Sequence, residues 1–120
     1  MIEIGSRART QAPPPTVLFE ALTQPDRPGA REWLLLADDE ESPSVLEAVD
    51  PVLVVWSSLW LKRPDARIRF DIEPDGRSAG STLRWTLSVE PPRPDDALVG
   101  HLRKRMNELV NRDLRYSFGQ

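Results

Sequence analysis

The sequence contains no cysteine. That single absence excludes disulfides, thiolate metal sites and cysteine nucleophiles. Histidine and tyrosine each occur once. No long apolar run is present, so no helix is expected to insert into a membrane. The opening residues Met1, Ile2, Glu3 and Ile4 alternate apolar and polar, unlike the charged-then-apolar layout of an export signal. The expected compartment is therefore the cytoplasm. A glycine-rich phosphate loop, an HExxH pair and a nucleophile elbow are all missing. Asp38, Asp39, Glu40 and Glu41 are contiguous and lack the alternating spacing of a calcium loop. Neither a metal nor a cofactor is expected. Arg103, Lys104 and Arg105 have no aromatic residues interleaved, and the net charge is −3, so nucleic acid is not an expected partner.

The 120 residues fit one domain, residues 1–120, long enough to bury a core without staples. Ile2, Ile4 and Ala8 alternate with Glu3, Gly5 and Arg7, which predicts a strand with Arg7 on its polar face. Pro13 to Pro15 then start a short helix in which Val17, Leu18, Ala21 and Leu22 fall at helical spacing. Pro25 stops it, and Pro28 with Gly29 reads as a turn. Residues 31–37, with Trp33 and three leucines, read as a buried strand. Residues 44–49 read as its antiparallel partner. Residues 52–60 are apolar on both faces and rich in β-branched and aromatic side chains, which predicts the strongest strand. Ile68, Phe70 and Ile72, then Leu83, Trp85, Leu87 and Val89, alternate with polar residues and predict a hairpin. A final helix is capped by Asp95 or Asp96 and carries Leu98, Leu102, Met106, Leu109 and Val110 as one apolar stripe.

Charge is unevenly placed. Residues 38–50 are acidic and residues 103–115 mostly basic. Two solvated surfaces are the plain reading, and attraction across a subunit contact is the second.

Several stretches together resemble the START-like, or SRPBCC, superfamily with its helix-grip fold. They are the proline-started helix from Ala12 to Pro25, Asp50-Pro51 leading into Val54-Val55-Trp56-Ser57-Ser58, Gly80-Ser81-Thr82-Leu83 at the head of a late strand, and the amphipathic C-terminal helix. The resemblance implies an α+β fold. A curved antiparallel sheet of about six strands would grip a long C-terminal helix, with one short N-terminal helix and an apolar cavity between sheet and long helix. It is similar to polyketide cyclases, Hsp90-activator-like domains and Bet v 1-like proteins, a range too wide to fix one activity. The chain departs from that pattern in showing no second helix between Pro25 and Trp33 and one strand fewer.

A binding function follows as the first expectation: a carrier or sensor holding a small apolar ligand, lipid-, polyketide- or aromatic-like, without catalysis. Phe19, Trp33, Trp56, Phe70, Trp85 and Met106 are the candidate lining, with Ser57 or Ser58 as a partner for a buried indole. His101, at the edge of the stripe, and Asp113, seven residues after Met106, are the candidate polar groups. No catalytic residue is assigned. A homodimer is the second expectation, from the two-sided apolar run at 52–60. A cyclase- or dehydrase-type enzyme using His101 or Asp113 is the third.

Overall fold

The opening alternation becomes a ten-residue strand, β1 (Ile2–Gln11), in the computed structural model of the protein, which describes residues 1–25 and 33–118. A bulge between Glu3 and Gly5 interrupts its pairing. One extra residue reverses which side chains face inward. Arg7 therefore stands opposite Trp85 and Arg9 opposite Leu83, on the core face, while Ala8 stands opposite Arg84 on the outer face. This corrects the expectation that Arg7 lies on the polar side.

Helix α1 (Pro15–Thr23) starts on proline, as expected, and turns Leu18 and Leu22 into the core. Pro28, Gly29 and the rest of the stretch between Pro25 and Trp33, where no second helix is expected, lie outside the described residues, Arg31 and Glu32 among them. Residues 33–37 form no strand. Leu35 and Leu36 are exposed, so this leucine run has no buried face to specify pairing. The strand after it, β2 (Val45–Val49), consequently pairs with β3 (Leu53–Trp56) and not with residues 33–36.

Strand β3 is also shorter than the 52–60 run. Ser57 Oγ accepts from the Ser44 amide at 2.7 Å. Ser58 Oγ donates to the Arg63 carbonyl at 2.6 Å and accepts from the Trp60 amide at 3.0 Å. These hydroxyls offer the backbone partners other than a ladder, and the strand ends there. Trp60 resumes pairing only as an isolated bridge to Glu40.

Strands β4 (Arg67–Pro74) and β5 (Ser81–Val89) form the expected hairpin, with Phe70 opposite Trp85. Alternate residues of both are at most 1% exposed on the inner face. The outer face carries Arg69 paired with Asp71 at 3.0 Å, and Arg84 donating to Ser6 Oγ at 3.0 Å. The described sheet is five-stranded and antiparallel, in the order β1-β5-β4-β3-β2. At the head of β5, a Cβ added to Gly80 would overlap the carbonyl oxygens of Gln11 and Ala12. Gly80→Ala is therefore expected to cost about 2 kcal/mol in denaturant unfolding, by forcing two backbones apart.

Asp95 caps α2 (Asp96–Glu108), its Oδ1 accepting from the Leu98 amide at 2.9 Å. The helix runs on through a π-helical segment (Leu109–Leu114) and a last turn (Arg115–Ser117), giving a long C-terminal helix against the inner face. Val99, Leu102, Met106, Leu109, Val110 and Leu114 are its buried residues. The π segment adds a residue to the turn, so Leu114 occupies the place in the stripe that regular α-helical spacing gave to Asp113. Gly100 is exposed, with open space around its Cα, so it serves no close packing.

Candidate functional site

The expected aromatic residues meet in the core. Trp56 stacks on Trp33, with ring centroids 5.9 Å apart, and meets Phe70 edge-on at 4.8 Å. The Trp56 indole nitrogen donates to the Leu22 carbonyl at 2.8 Å, tying β3 to the end of α1. Trp33, Trp56, Phe70, Trp85 and Met106 are buried, and Phe19 packs half-buried against them. Trp33, Trp56 and Phe70 thus fill space against one another. Ser57 and Ser58 serve the backbone, as described, and not the Trp85 indole.

His101 and Asp113 lie apart from that cluster. His101 is exposed, with Nε2 3.5 Å from Asp39 Oδ2. Asp113 accepts from Arg112 Nε at 2.9 Å and lies 3.5 Å from Arg105 Nη1. Both belong to a polar seam that the sequence does not reveal. Its centre is Glu40, whose side chain is 1% exposed. Arg105 donates Nε to Glu40 Oε2 at 2.7 Å and Nη2 to Oε1 at 2.9 Å, a two-pronged pairing, and the Ala37 amide donates to Oε1 at 2.9 Å. Arg105 Nη2 also donates to the Leu35 carbonyl at 2.7 Å. The bond to Glu40 raises the Arg105 pKa above the ordinary arginine value, against the burial that lowers it. The acidic and basic stretches are therefore not simply two solvated surfaces. They are joined within one chain, at Asp39 and Glu40 with His101 and Arg105.

The other flank of α2 faces β1. A Cβ on Gly5 would lie 2.8 Å from Arg103 Cγ and 3.1 Å from Trp85 Cζ3, so α2 and the Trp85 ring both close on Gly5. Twelve residues later, Arg115 Nη2 donates to the Thr10 carbonyl at 2.8 Å. The helical rise from 103 to 115 is about 18 Å. The strand rise from 5 to 10 is about 17 Å. The matching lengths set helix and strand side by side in the same direction. Between the two anchors stand Arg7 and Arg9 on the strand, and Asn107 and Asn111 on the helix. Arg103, Asn107, Asn111 and Arg115 recur every four residues. On a regular α-helix such a row would drift by about 40° per step. The wider π turn counters the drift and keeps the row on one flank.

This contact between β1 and the helix is closely packed, and it holds several buried polar atoms that have no hydrogen-bond partner among the described residues. They are both amide atoms of Gln11, Trp85 Nε1, Asn107 Oδ1, Asn111 Oδ1 and Arg115 Nε. Gln11 is 3% and Trp85 1% exposed. Trp33 and Trp60 carry unpartnered indole nitrogens too, but away from this row. Near its end, Asn111 and Arg115 join Arg112, Asp113 and Tyr116 around a surface concavity of about 420 Å³. Among the described residues, no group of three or more His, Asp or Glu gathers as a metal site would require. The asparagines at i and i+4 beside the apolar stripe, and a glycine inside a strand, were legible signs of this contact. Gln11 gave none.

No family model matches the sequence, and no curated protein matches it either. Solved structures do. The Aha1 dimer from Colwellia psychrerythraea superposes with a TM-score of 0.67 at 16% identity, over 96% of this chain and 94% of that one. CalU16 from Micromonospora echinospora gives 0.64 at 14%, over 88% and 70%. Ara h 8.0201 gives 0.57 at 11%, over 97% of both chains. Identities this low speak for the fold alone, and the sheet order, the short first helix and the long closing helix agree with them: the chain has a helix-grip fold.

Proposed function

We propose that the protein binds a small, largely apolar molecule, without catalysis, between β1 and the C-terminal helix, as a carrier or sensor. The observation that supports this most is the buried Trp85 indole N–H without a partner, in a row of similar atoms. Leaving a buried donor or acceptor unmade costs about 1–3 kcal/mol. Native interiors satisfy the great majority of such groups, so a local concentration of exceptions calls for a reason. Trp85 is 1% exposed, so a ligand with one polar group and an apolar body would satisfy some of these atoms and reach the Trp85 ring by parting β1 from the helix. Trp85 is then the contact residue, with Met106 behind it. Trp33, Trp56 and Phe70 support the site from the core. Titration with decanol or 2-naphthol is expected to change tryptophan fluorescence saturably and to raise the melting temperature. A flat response in both, up to the solubility of each probe, would contradict the reading.

A second reading is supported by a separate observation. Strand β2 is a sheet edge exposed at every residue, with Val45, Leu46 and Val49 on it and Val52 beside it. An exposed apolar edge is a template for another strand. A homodimer joined edge to edge at β2 would cover it.

A further inference from the structure

We infer that the free edge of the sheet at β2 docks an extended basic segment of another protein, in which lysine or arginine alternates with apolar residues, and that this segment adds to the sheet as a further strand. The edge lies across the sheet from β1, so its occupancy is independent of the ligand reading. Ala48 stands opposite Val54 on the inner face and Val49 opposite Leu53 on the outer face, yet every residue of β2 is exposed. Val45, Leu46 and Val49 are among them, and Val52 is exposed just beyond the turn. The same rim continues before β2. The Ser57 amide donates to the Ser44 carbonyl at 2.9 Å, the Glu41 amide to the Leu59 carbonyl at 2.7 Å and the Leu61 amide to the Asp39 carbonyl at 3.1 Å. These bonds set the acidic stretch of the sequence along one edge. Asp38, Asp39, Glu41, Glu47 and Asp50 are exposed there. Residues 38–61, which build the rim and the strand beside it, contain no lysine, arginine or histidine. At the turn, Val49, Val52, Leu53, Asp71 and Glu73 line a concavity of about 290 Å³, whose one base, Arg69, is paired with Asp71.

A free edge takes an incoming strand through main-chain hydrogen bonds, and the alternate side chains of the guest set its specificity. Opposite charges facing across two strands stabilise the pair, and like charges oppose it. A second copy of this chain, paired β2 to β2, would bring Glu47 and Asp50 close to the same acids of its partner. A basic guest meets them with the opposite charge, and its apolar residues cover Val45, Leu46 and Val49. Charged side chains and bulges also guard edges against pairing, and β2 has both, in Glu47 and in the shift of register between Val45 and Glu47. Guarding alone gives no role to three exposed apolar residues on five positions, and the experiment separates the two uses.

A short fluorescein-labelled peptide of alternating valine and lysine is titrated with the intact protein by fluorescence anisotropy, at low and at high salt. A valine–glutamate peptide and a lysine–proline peptide of the same length are the comparisons, the second keeping the charge but unable to pair as a strand. The valine–lysine peptide should bind about tenfold tighter than either, lose affinity with salt, and protect the β2 amides from hydrogen exchange. Glu41→Lys/Glu47→Lys should abolish the preference over the valine–glutamate peptide. Glu90→Lys, at an exposed acid after β5, should keep it. Melting curves of both variants establish that they are folded. No binding, equal binding of the three peptides, or a preference that survives Glu41→Lys/Glu47→Lys overturns the basic-strand assignment. A dimer in sedimentation whose β2 amides are protected without any peptide overturns it too, and gives the edge to a second copy.

Discussion

Arg105→Met lowers the stability of the protein by about 3 kcal/mol, read as a fall of roughly 10 °C in melting temperature. The reason is what remains behind. The Glu40 carboxylate, with a side chain 1% exposed, keeps only the Ala37 amide as a donor. An ionised carboxylate stripped of its cation in a buried place is far costlier than the pair was worth. The Leu35 carbonyl also loses its donor. Glu40→Leu alone has a cost of the same order, because it strands the guanidinium. The informative variant is Glu40→Leu/Arg105→Met. Replacing both partners by apolar groups is often neutral or stabilising, so the double variant is expected to recover most of the loss. Additive losses would show that the two residues contribute separately and that the seam is not a coupled pair.

Trp56→Ala is expected to cost about 4 kcal/mol, the largest effect of any single truncation. Trp56 is 1% exposed, and it links three parts of the fold through ring contacts with Trp33 and Phe70 and a hydrogen bond to the Leu22 carbonyl. Removing it opens a cavity beneath α1 and leaves that carbonyl without its donor. Trp56→Phe separates the two losses. It keeps an aromatic ring but not the indole N–H, and is expected to cost about 2 kcal/mol. Chemical denaturation of the two variants measures both figures, and equal values would show that ring volume contributes little at this position.

Both effects concern elements that differ in how readable they were. The β4–β5 hairpin was legible because its apolar residues recur every second position and only one face is buried. The capped, striped helix was legible for the same kind of reason. The leucines at 34–36 and the run at 57–60 misled because composition cannot register competition. Ser57 and Ser58 divert the backbone, and Leu35 and Leu36 find no face to pack on. Glu40 and Arg105 are 65 residues apart in sequence, and nothing local marks either as the partner of the other. The candidate site was half legible. Trp85 stood out on a clean inward face. Arg7 was placed on the wrong face because the bulge between Glu3 and Gly5 reverses the phase of the strand. His101 and Asp113 drew notice as the polar groups near the stripe, but the structure pairs His101 with Asp39, and Asp113 with Arg105 and Arg112.

The most direct test of the proposed binding site is the nitrogen-15 spectrum of the four tryptophan indoles during a titration with decanol. Trp85→Phe identifies the Trp85 signal by its disappearance. The account predicts that this signal moves first and furthest, because its N–H is the unpartnered donor that the ligand reaches. The Trp56 signal, already bonded to Leu22, should barely move. A Trp85 signal that stays fixed while decanol saturates elsewhere, or that never moves at all, would contradict it.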